Sequence, residues 1–73
     1  MAQFSLVVST KYENDLPYGT FEKPDHAVRA LRVSFPETKI DQVKEAEIFI
    51  IDRGVIKKYA TIDLDTMHQI LFE

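Results

Sequence analysis

Cysteine is absent from this 73-residue sequence, which excludes a disulfide framework and any thiolate zinc site. A domain this short buries only about 60% of the surface its unfolded chain exposes, so apolar packing alone must hold it together. Tryptophan is absent as well, and glycine occurs twice. Gly19 and Gly54 stand too far apart to form a phosphate-cradling loop. No apolar run approaches the roughly 20 residues of a membrane span, and residues 1–8 lack the basic start and long apolar core of a secretory signal. A cytoplasmic location with no membrane partner is the expectation.

What is present suits a folded chain. Hydrophobic residues make up 45%, aromatics 11% and charged residues 29%, which fits a globular protein rather than a disordered one. Residues 1–73 are expected to form a single α+β domain. The net charge of −3 argues against a dedicated nucleic-acid binder, whose footprint is usually basic.

Phe4, Leu6 and Val8 alternate with Ser5, Val7 and Ser9, which predicts a strand over 3–10. Asn14, Asp15, Pro17 and Gly19 then favour turns, with a short return strand over 18–21. Pro24 suits the first position of a helix and Asp25 the positive end of its dipole. Ala27, Val28, Leu31 and Phe35 form one apolar stripe before Pro36 stops the helix. Residues 37–45 read as irregular chain or a single helical turn.

Residues 46–52 and 55–62 are rich in β-branched and aromatic side chains, and Asp52, Arg53 and Gly54 between them predict a hairpin with a three-residue loop. Asp63 or Asp65 suits an N-cap, and Met67, Ile70 and Leu71 follow at helical spacing, so 63–72 is expected to be a short terminal helix. The order is β-β-α-β-β-α. It predicts a small two-layer α+β sandwich with a mostly antiparallel sheet and one helix packed on it.

Pairing Ile51 with Val55 in that hairpin places Ile48, Ile50, Ile56 and Ala60 on one face and Phe49, Ile51, Val55 and Tyr59 on the other. One helix covers one face; the other is covered by the terminal helix or, left open, marks an interaction surface. The register decides this assignment, since a two-residue turn redistributes the same side chains.

Catalytic chemistry has little to stand on, because no nucleophile elbow or triad signature occurs and the histidines are only His26 and His68. Asp63, Asp65 and His68 lack the further acidic residue and the glycine of a calcium loop. No catalytic, metal or cofactor residue is assigned, and no cofactor or small-molecule substrate is expected. Arg29, Arg32, Lys57 and Lys58, with Arg53 at the turn, are the best basic group, although only one of the two lysines can share its face. Tyr12, Tyr18 and Tyr59 are available for base stacking, but none sits in an aromatic ribonucleoprotein motif. Acidic Glu45, Glu47 and Asp52 on the opposing strand would offset the lysines.

These features point to a non-enzymatic adaptor, inhibitor or regulator. Its partner would be another protein or a second copy of itself, met through Phe49, Ile51, Val55 and Tyr59. The alternative is a nucleic-acid-binding accessory protein using the four basic residues.

Overall fold

The computed structural model describes residues 2–72. Its elements are β1 (Gln3–Thr10), β2 (Leu16–Phe21), α1 (Pro24–Ser34), a 3-10 turn (Ile40–Gln42), β3 (Val43–Asp52), β4 (Val55–Asp63) and β5 (His68–Leu71). The strands form one sheet in the order β2-β1-β3-β4-β5, with every neighbouring pair antiparallel. The α+β class expected from the sequence holds. Among the described residues, no helix is long and apolar enough to cross a membrane.

The core lies between α1 and one face of the sheet. Leu6, Val8, Ala46, Ile48, Ala60 and Ile62 from β1, β3 and β4 meet Ala27, Leu31 and Phe35 from the helix side. The alternation of Phe4, Leu6 and Val8 puts all three on the helix face of β1, which lies between β2 and the central β3. Proline opens the helix as expected, and the Phe35 N–H closes it on the Leu31 carbonyl at 2.8 Å.

Three strands carry an extra residue, and each irregularity brings an aromatic or apolar side chain to the helix face. In β2, Tyr18 and Gly19 lie between the Ser5–Thr20 and Val7–Pro17 pairs. Tyr18 meets Phe35 edge-to-face with ring centroids 5.5 Å apart. In β3 the shift next to Thr10 returns Val43 to the core. In β4, Tyr59 lies between the Ile48–Ala60 and Phe49–Lys58 pairs, and its ring packs on Phe4 at 5.0 Å.

Three expectations need correction. The hairpin turn has two residues, Arg53 and Gly54, both at positive φ (53° and 78°), so Ile51 pairs with Ile56 and Asp52 with Val55. Positive φ at both positions gives the backbone twist that matches the flanking strands, which a three-residue loop would not need. Second, 63–72 is not a helix but a turn followed by β5. The Asp63 carboxylate accepts the Asp65 N–H at 2.9 Å, Thr66 Oγ1 accepts the His68 N–H at 3.4 Å, and Met67 takes φ 59°. A segment of this length is marginal as a helix on its own, whereas pairing with β4 satisfies its backbone groups at once. Third, β2 begins earlier than 18, and β3 begins at Val43 within the stretch read as irregular.

Candidate interaction surface

Directly paired residues share a face of a sheet, so the pairing assigns every side chain to the helix-covered side or the open side. Ser5, Val7, Glu47, Phe49, Ile51, Ile56, Lys58, Thr61 and Ile70 fall on the open side. No element of the described chain lies over it. At its centre Lys58 Nζ sits 2.6 Å from Glu47 Oε2 and 5.8 Å from the centroid of the Phe72 ring. The hydrogen bond and charge of Glu47, with a further contribution from Glu45, raise the Lys58 pKa above its ordinary value.

Exposed apolar side chains are unevenly spread. Among the described residues the large exposed ones are Tyr12, Val33, Val55, Ile56, Ile70, Leu71 and Phe72. Five of these seven belong to β4, β5 or the residue that follows, so they gather at one corner of the sheet. The β5 edge there carries Ile70 on the open side and Leu71, paired with core residue Ala60, on the other. The opposite edge, β2, carries Pro17 and an irregular register, both of which discourage strand addition.

The quartet expected to act together is divided. Phe49 and Ile51 lie half-buried on the open face, Val55 shares the helix side of the sheet beyond the core, and Tyr59 is spent on Phe4. Ile56, Ile70 and Phe72 belong to the open side instead. Ile56 was missed because of the one-residue register difference, and Ile70 and Phe72 because their segment reads as helical. The run Ile70, Leu71, Phe72, with its β-branched and aromatic members, was the signal that favoured a strand.

The basic group is divided as well. Lys57 pairs with Ile50 and Lys58 with Phe49, so the two lysines face opposite sides, and Lys58 is engaged by Glu47. Arg29 and Arg32 do stay together, lining a groove of about 550 Å³ between α1 and β5 opposite Met67, His68 and Gln69. Neither arginine makes an ion pair with another described residue. Asp25 lines the same groove and accepts the Gln69 side-chain N–H at 2.9 Å.

His26 lies in the first turn of α1 and lines a shallow depression beside Phe21 and Val33, away from the His68 side of the helix groove. Among the described residues no three His, Asp or Glu side chains are grouped to hold a metal ion. Comparison with family models, with curated proteins and with solved structures finds no match.

Proposed function

We propose that this chain is a small non-enzymatic interaction protein, an adaptor or inhibitor that works by occupying the surface of another protein or of a second copy of itself. The observation that supports it is the exposure of Ile56, Ile70 and Phe72 on the open side of the β4–β5 half of the sheet, over which no described element lies, with Val55 and Leu71 exposed on the other side of the same strands. The half-buried Phe49 and Ile51 continue that patch across the open face.

The test is a comparison of the wild-type chain with the double variant Ile56→Asp, Phe72→Asp. Light scattering reads self-association, and a tagged pull-down after nuclease treatment and a high-salt wash reads other proteins. A dimer or a stoichiometric partner kept by the wild type and lost by the variant supports the reading. Equal behaviour of the two chains contradicts it.

A second reading, nucleic-acid binding, draws on Arg29 and Arg32, which share the α1–β5 groove and make no ion pair among the described residues. Binding of that kind weakens steeply with salt. A salt-insensitive complex that survives nuclease removes it.

A further inference from the structure

The outer edge of β4 is only half used. β5 pairs with it across residues 60–63, and the last bond of that ladder joins the Phe72 N–H to the Tyr59 carbonyl at 2.9 Å. Nearer the turn, residues 55–58 pair with β3 on one side and, among the described residues, have no neighbouring strand on the other. Residues flanking a two-residue turn form a hydrogen-bonded pair, so alternation from Asp52 and Val55 sends the main-chain N–H and C=O of Ile56 and Lys58 outward. Those groups form a ledge in line with β5.

We propose that this ledge is a strand-addition site for an extended, acidic segment of another protein. The inference rests on the interaction reading above and names how the partner docks and what chemistry it carries. Main-chain bonding to a free sheet edge supplies affinity in such complexes, and side chains on alternate faces supply selectivity. Here Val55 and Ile56 are 54% and 65% exposed on opposite faces of the strand, so an added strand covers both.

Charge decides the occupant. Arg53 and Lys57 are exposed at the ledge and make no ion pair with another described residue. Antiparallel pairing of two such ledges would crowd Lys57 and Lys58 of one copy against those of the other, which like-charge repulsion disfavours. A strand bearing Asp or Glu meets the same groups favourably. Asp52, also exposed beside Arg53, sets a limit on how many acidic residues the turn end accepts.

The probe is a random 12-residue peptide library displayed on phage and selected on the full chain, followed by titration of the enriched peptide into the isotope-labelled protein. The expected peptides alternate acidic and apolar residues and shift the backbone amides of 55–58 and Phe72. Their affinity should fall at least tenfold in Lys57→Glu and in Ile56→Pro, the latter removing an outward N–H while leaving the bonds to β3. Lys57→Glu changes an exposed side chain only, so it keeps the test valid should the proline variant misfold. Peptides that lose binding in Phe49→Asp but keep it in Lys57→Glu overturn the ledge while leaving the interaction reading in place. Absence of enrichment overturns the ledge, and a chain that is also monomeric and partnerless removes both.

Discussion

The same five strands present two faces with opposite economies of side chains. Under α1, Leu6, Val8, Leu31 and Ile48 are fully buried and interlocked. On the open side the apolar residues are half-covered by their strand neighbours at best, and at the β4–β5 corner they are mostly exposed. The covered face holds this small chain together, and the corner is where the proposed partner would meet it.

Four substitutions sharpen that contrast, in falling order of effect. Ile48→Ala leaves a cavity at a fully buried position and should cost about 2–5 kcal/mol, a large share of the roughly 5 kcal/mol expected at the lower end for such a domain. Urea unfolding measures it. Tyr59→Ala removes the ring packed on Phe4 and should lower stability by roughly 1–3 kcal/mol in the same assay. That outcome would place Tyr59 with the covered face, and a loss of binding at unchanged stability would return it to the interface.

Gly54→Ala should cost about 1 kcal/mol through backbone strain at φ 78°, because a Cβ there meets no other atom within 4 Å. A neutral result would mean that the turn relaxes. Smallest is the Lys58–Glu47 pair, which is partly solvated. Since folding raises the Lys58 pKa, its contribution is complete below the ordinary value of 10.5 and fades as pH rises through the higher folded value. Glu47→Gln should lower neutral-pH stability by the small amount the pair contributes and remove the alkaline dependence by the same amount, so the two chains converge at high pH in pH-dependent thermal melts.

Much of the covered face is legible in the sequence because it obeys simple periods: two for Phe4, Leu6 and Val8, and roughly four for Ala27, Leu31 and Phe35. Pro24 and Pro36 bracket the helix for steric reasons that act locally. The corner is not legible in this way. Its register hangs on whether Asp52 belongs to the turn, and Arg53 at φ 53° gives little local warning that it does not. The extra residue at Tyr59 then breaks the alternation again, so no single reading frame carries through β4. Over 63–72 the spacing of Met67, Ile70 and Leu71 fits a helix, yet tertiary pairing with β4 prevails because the unpaired edge of that strand offers hydrogen bonds that a two-turn helix lacks. The site residues inherit these uncertainties, whereas the α+β class does not.

The most direct measurement compares the urea-unfolding midpoint of the wild-type chain with that of Ile56→Asp, Leu71→Asp. These side chains are 65% and 60% exposed, so the midpoint should stay within the small shift usual for surface changes. A fall comparable to that of Ile48→Ala would mean that the β4–β5 corner belongs to the folding core and is not a surface held open for a partner.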